Sequence, residues 1–219
     1  MTLFHKTMPD FFNIHTHTSL HPETEILSLS PEQLYADIQM EYASVGIHPW
    51  HLTLENSEPQ WEALRQSVKD KRIIAIGECG LDKLQGPSLE LQTSLFKQEA
   101  TLAEERSLPL IIHCVKAFNE LIQLKKEIYP SQPWIIHGFR GKLPLAADCI
   151  RHGFYLSIGS RFQTDALKAI PLDHLFIETD ESEESIGSIY QRIAETKGIS
   201  LQELTEAINK NVREVFFKR

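Results

Sequence analysis

Ile73-Ile74-Ala75-Ile76-Gly77-Glu78 decides the fold: an apolar run that ends in a side chain able to hold a metal. Four other stretches repeat the pattern. Phe11-Phe12-Asn13-Ile14 precedes His15-Thr16-His17, and Leu110-Ile111-Ile112 precedes His113. Trp134-Ile135-Ile136 precedes His137, and Leu175-Phe176-Ile177-Glu178-Thr179 precedes Asp180. Runs this short and this rich in Ile and Phe read as buried parallel strands. A parallel barrel gathers the C-terminal ends of its strands on one face, where active sites sit. The pattern therefore brings four His, one Glu and one Asp into one small volume, a donor set that suits two divalent cations.

Outward from these runs, strand-like and helix-like segments alternate to the end of the chain, the signature of an α/β fold with a parallel sheet. Strands are expected at about 10–16, 25–29, 42–47, 72–78, 109–113, 133–137, 154–158 and 174–179. Eight strands predict a (β/α)₈ barrel of the TIM type, and residues 1–219 read as a single domain. The chain is shorter than the ~250 residues usual for that fold. The shortfall falls early: only the polar stretch Thr18 to Glu23 separates the first two strands, so the first βα units are shortened. Ser30-Pro31-Glu32-Gln33 reads as a helix start, as do the capping-box pairs Ser57/Gln60 and Ser200/Glu203. Stripes such as Leu91, Leu95, Phe96, Leu102 and Ala103 are core-facing helix surfaces without a functional signal.

Composition narrows the function. The net charge of −8 is a poor field for gripping long nucleic acid, so phosphate recognition falls to local cations or metal ions. No apolar stretch approaches the roughly 20 residues of a membrane span. Met1 to Asp10 lacks the apolar core of a signal peptide, and the expected location is cytoplasmic. Three cysteines without paired spacing fit a reducing compartment.

His15 and His17, one residue apart, share a face of their strand. Glu78 lies between Gly77 and Gly80 in Gly-Glu-Cys-Gly-Leu-Asp, where glycine allows close approach and a sharp turn, and its two oxygens can bridge two cations. Asp82 admits two readings: it orients a ligand imidazole, or it caps the next loop. Strand alternation puts Glu178 on the same face as Asp180, deeper in the barrel and paired with a cation or a His. Cys79 and Cys114 follow candidate ligands directly, so their thiols face away from the centre.

These motifs, in this order and spacing, resemble the TatD family of metal-dependent hydrolases within the amidohydrolase superfamily. The matching pieces are His15-Thr16-His17, Gly46-Ile47-His48-Pro49, Gly77 to Asp82, Ile112-His113, His137-Gly138-Phe139-Arg140-Gly141 and Glu178-Thr179-Asp180. Asn209 to Phe216 also resembles the family's last helix. The resemblance implies a barrel with a two-metal phosphoesterase site, of the deoxyribonuclease kind. It implies His15, His17 and Asp180 on one metal, His113 and His137 on the other, and Glu78 bridging. Asp180 and Glu78 become the catalytic acids, with Asp180 the general base. Mg²⁺ or Mn²⁺ is expected in function and Zn²⁺ in purified protein.

His48 reads as a substrate contact or as a loop residue fixed by Pro49. Lys116, Arg140 and Arg161, with Lys142, are the local cations for a phosphate, or simply solvated charge. The sequence departs from the family pattern after Asp180, where Glu181-Ser182-Glu183-Glu184 replaces the expected substrate-facing segment. The expected activity is hydrolysis of nucleic-acid ends or small phosphodiesters by a two-metal-activated water, with no membrane and no obligate protein partner. The alternatives are an amide or lactone hydrolase of the same superfamily, and a non-catalytic metal- or nucleic-acid-binding relative.

Overall fold

The computed structural model describes residues 11–35 and 39–217. Met1 to Asp10, the basis for the expected location, lies outside the described residues, as does the start of the first expected strand. Eight parallel strands stand in sequence order around a nearly closed barrel. They are β1 (Asn13–Thr16), β2 (Glu25–Leu29), β3 (Tyr42–Val45), β4 (Ile73–Asp82), β5 (Leu110–Val115), β6 (Trp134–Ile136), β7 (Tyr155–Ile158) and β8 (Leu175–Ile177). The helices are α1 (Ser57–Ser67), α2 (Leu89–Arg106), α3 (Phe118–Ile128), α4 (Leu143–Arg151), α5 (Thr164–Ala169), α6 (Ile186–Lys197) and α7 (Leu201–Phe216).

The apolar runs become strands because both of their faces are covered; all ten residues of β4 are buried. The early units are reduced, as the short spacers predict. β1 and β2 are joined by turns, and the helix expected from Ser30 is a single 3₁₀ turn, Gln33–Tyr35, before the undescribed residues 36–38. Gln33 Oε1 accepts the Ser30 N–H at 2.8 Å, so this start is locally capped.

Two local expectations are corrected. β4 does not turn at Glu78 but runs on to Asp82, pairing Gly80 with His113 and Asp82 with Val115. The reason is steric: a Cβ at Gly80, whose φ is +142°, would collide with the His113 carbonyl oxygen, and glycine lets the two backbones lie in contact. Ser57 does not cap α1. Asn56 is the N-cap residue, its side chain is engaged with Thr53 N and His51 O, and Ser57 Oγ donates to Leu54 O. Ser200 does cap α7, its Oγ accepting the Glu203 N–H.

The seam between β1 and β8 has few backbone bonds. Asp180 N–H donates to His15 O at 3.0 Å. The Asn13 side chain adds two more, accepting Thr179 N–H at 3.0 Å and donating to Thr179 Oγ1 at 2.9 Å.

Candidate metal centre

Glu78 is the hub of the C-terminal face. Its Oε1 lies 2.8 Å from His113 Nδ1, 2.8 Å from His137 Nε2 and 2.9 Å from His48 Nε2. Its Oε2 turns the other way, 3.4 Å from Nε2 of both His15 and His17. Those two nitrogens are also 3.7 and 3.6 Å from Asp180 Oδ1. Alternation along β1 explains the pairing: His15 and His17 reach the same carboxylates, His15 from the core and His17 from the mouth. Gly46 permits the approach of β3, because a Cβ there would come within 2.8 Å of the Gly77 and Glu78 backbone.

Two further carboxylates stand behind the imidazoles. Asp82 satisfies both of its readings at once. Its Oδ2 meets His113 Nε2 at 3.0 Å and accepts the Trp50 indole N–H at 2.6 Å. Its Oδ1 accepts the Leu84 and Gln85 N–H groups, which caps the loop. Glu178, fully buried, accepts the Gly138 N–H at 2.6 Å and lies 3.5 Å from His137 Nδ1. A carboxylate behind a ligating imidazole fixes its tautomer and raises its basicity.

The charges are strongly coupled. Burial opposes ionisation of Glu78, but the combined attraction of His137, His113 and His15 outweighs it and holds the carboxyl well below the usual range. His137 is pushed well above its ordinary value: burial acts against this, and Glu78 and Glu178 prevail. The contact with Glu78 also raises His17. Burial lowers His48 despite the attraction of Glu78. Burial resists the charge on Asp82 and Glu178 too, yet His113 and His137 keep both carboxyls below their usual values.

The donor set fits divalent cations. His15 is completely buried and neither ring nitrogen has a hydrogen-bond partner. Its Nε2 faces two carboxylate oxygens at distances too long for hydrogen bonds, a gap suited to an ion ~2 Å from each donor. Among the described residues, four overlapping trios have ligand atoms within 4.8 Å of one another: His15–Glu78–His137, His15–His17–Asp180, His48–Glu78–His113 and His137–Glu178–Asp180. Orphaned buried nitrogens beside carboxylates are costly unless something charged satisfies them.

All six side chains expected to ligate therefore converge, and His48 joins them by direct contact with Glu78. A cavity of about 1080 Å³ opens above the centre. Lys116, Arg140 and Lys142 line it, and Arg140 Nη2 is 4.0 Å from Asp180 Oδ2. Arg161 is exposed beyond β7 and is not among the lining residues. The Cys79 thiol is withdrawn, its Sγ pointing to Ile111 O, whereas half-buried Cys114 is among the residues lining the cavity; burial pushes both thiols up.

Sequence reasoning missed two participants. Trp50 holds Asp82 and also lines the cavity; its signal was a large aromatic two residues after His48. Glu99, fully buried on α2, accepts the Ile47 N–H at 2.9 Å and so anchors the residue before His48. Burial pushes its carboxyl up to about 8, against the pull of that hydrogen bond. Its signal was an acid on the same α2 face as Phe96 and Ala103.

A parallel barrel with imidazoles and carboxylates converging at its strand ends has the architecture of the barrel enzymes that act through metal ions. The chain belongs to the TatD-related DNase family, whose model matches residues 16–217. It is 29% identical over 197 residues to an uncharacterized metal-dependent hydrolase, YabD of Bacillus subtilis, covering 80% of this chain and 77% of that protein. It is 27% identical over 229 residues to the 3'-5' ssDNA/RNA exonuclease TatD of Enterobacter lignolyticus, covering 92% and 85%. The crystal structure of the TatD homologue YjjV from Escherichia coli superposes with a TM-score of 0.81, at 22% identity, over 97% of this chain and all of that one.

Proposed function

We propose that this protein is a metal-dependent phosphodiesterase that hydrolyses single-stranded nucleic-acid ends or small phosphodiesters. The observation that carries it is the split carboxylate of Glu78, one oxygen toward His15 and His17 and the other toward His113 and His137. On this reading His15, His17 and Asp180 hold one divalent cation, His113 and His137 hold a second, and Glu78 serves both. Mg²⁺ or Mn²⁺ suits the working enzyme, and Zn²⁺ follows from the affinity order in purified protein. When bound, paired cations lower the pKa of water and stabilise charge developing on phosphoryl oxygens.

The chain's own residues supply the rest. Asp180 accepts the proton of the attacking water, and Glu78 keeps its charge deep in the barrel because its histidine partners outweigh desolvation. Asp82 and Glu178 hold the two imidazoles in register. Lys116 and Arg140 face the cavity as phosphate contacts, with His48 at the hub. Arg161 stands apart from the cavity, which weighs against it as a contact. The relatives named as 3'-5' ssDNA/RNA exonucleases favour a strand end as substrate. The net charge of −8 and the presence of Glu181 at the cavity favour short, unpaired ends over long duplex. No described helix is long and apolar enough to cross a membrane.

The test combines metal content with cleavage. Protein reconstituted with Mn²⁺ should approach two ions per chain, cleave a short labelled single strand, and lose activity to chelator. A duplex with blocked ends should be cut far less. One firmly bound ion elsewhere, or efficient internal cutting of the blocked duplex, overturns this reading. Inactivity on every phosphodiester with both ions present transfers the site to amide or lactone hydrolysis or to a binding role.

A further inference from the structure

We propose that Trp50 is the stacking platform for the nucleobase beside the scissile phosphodiester, which makes the centre selective for unpaired, base-bearing ends. The proposal rests on the phosphodiesterase reading and names the part of the substrate that the metal ligands do not touch.

Trp50 is 45% exposed, whereas Trp134 is buried and Trp61 is half-buried. It opens onto the cavity above the candidate metal centre. An exposed indole is usually mobile, but this one is held from several sides. Its ring N–H donates to Asp82 Oδ2 at 2.6 Å, and its backbone N–H donates to His48 Nδ1 at 3.1 Å. Its ring meets the imidazoles of His48 and His113 nearly edge-on, with centroids 4.8 and 5.4 Å away and interplanar angles of 75° and 79°. Pro49 begins the short 3₁₀ turn that carries it. The indole is therefore preorganised, and a partner binding to it loses little ordering free energy.

Position supplies the rest. His48 and His113 each contact Glu78 Oε1, so the indole stands one residue away from the hub of the centre. A phosphodiester seated there carries its base into the same cavity. Lys116, Arg140 and Lys142 also line that cavity, and they complement the phosphates rather than the base. With a net charge of −8, ionic contacts alone are a weak source of affinity. Stacking supplies affinity without regard to sequence, because every base has a π face, and an unpaired end exposes that face while a duplex covers it.

The experiment uses the full chain loaded with Mn²⁺ and compares trithymidylate with the same trinucleotide carrying abasic sugars. Stacking predicts that the wild type prefers the base-bearing substrate in KM by about 5- to 150-fold. Trp50→Ala and Trp50→Leu should erase most of that preference, raising KM for trithymidylate well beyond any change seen with the abasic trinucleotide. Trp50→Phe removes the hydrogen bond to Asp82 but keeps an aromatic face, so it should retain most of the preference. Emission quenching by a slowly cleaved phosphorothioate trithymidylate should be largely lost in Trp50→Phe, since Trp134 is buried and the half-buried Trp61 lines a separate surface pocket. If the Ala and Phe variants depress both substrates equally, Trp50 acts only through Asp82 and the proposal fails. It also fails if the Ala variant keeps the preference. A wild type that carries two ions and cleaves neither trinucleotide refutes the phosphodiesterase reading itself, an outcome distinct from both.

Discussion

Replacing Glu99 with Gln should make the protein more stable at neutral and alkaline pH. Glu99 is fully buried on α2, and burial pushes its carboxyl up to about 8 from an ordinary value of 4.5. Because the folded pKa lies above the unfolded one, the folded state holds the proton longer. The unfolded chain binds fewer protons between about pH 4.5 and 8, so stability falls as pH rises through that window and is level outside it. At pH 7 the gap from the unfolded value is about 2.5 pH units, worth about 3 kcal/mol at ~1.4 kcal/mol each. Glu99→Gln keeps an oxygen for the Ile47 N–H and cannot ionise. Its advantage over wild type should grow from near zero at pH 4.5 to about 3 kcal/mol at pH 7, or roughly 6–12 °C in Tm. Urea denaturation of both proteins at several pH values measures the difference and cancels the titration of every other group. A constant difference across the window, or a variant less stable at pH 7, would refute the argument that a buried, unpaired carboxyl burdens the native state here.

The remaining predictions concern the centre. Asp180→Asn should lower turnover by about 10²- to 10⁴-fold with the fold unchanged by circular dichroism, and near-normal turnover with ions bound would remove Asp180 as the proton acceptor. Glu178→Gln weakens the support of His137 Nδ1, so titration with Mn²⁺ should show about 10- to 100-fold weaker binding at one site; unchanged affinity at both sites would make Glu178 a packing residue. Gly80→Ala should cost at least ~3 kcal/mol in denaturant unfolding, because the new Cβ meets the His113 carbonyl in a backbone conformation that Ala resists. A loss under 1 kcal/mol would mean that β4 and β5 can separate without harm.

The strands were legible because the Ile-rich runs are short and each ends in a polar side chain that must be satisfied. The six convergent donors were legible for the same reason: a parallel barrel turns sequence position into spatial position at the strand ends. The extension of β4 was not, because Gly-Glu-Cys-Gly reads locally as a turn, and only the packing against β5 shows that its glycines serve contact between strands. Ser57 was misread because Asn56, one residue earlier, forms its own turn with Thr53. Trp50 and Glu99 act through partners 32 and 52 positions away, contacts that no local pattern encodes. Arg161 was grouped with the phosphate contacts by strand order; it is exposed and is not among the residues that line the cavity.

The seam between β1 and β8 gives the candidate ligand set a second meaning. His15 and His17 belong to the first strand and Asp180 follows the last, and the residues joined across this seam lie as far apart in the chain as Asn13 and Thr179, 166 positions. A cation shared by those three side chains would fasten the beginning of the barrel to its end, like the clasp of a bracelet whose other links are already sewn. Ion release and parting of the outermost strands then become two views of one equilibrium, and whatever loosens the clasp also loosens the hoop.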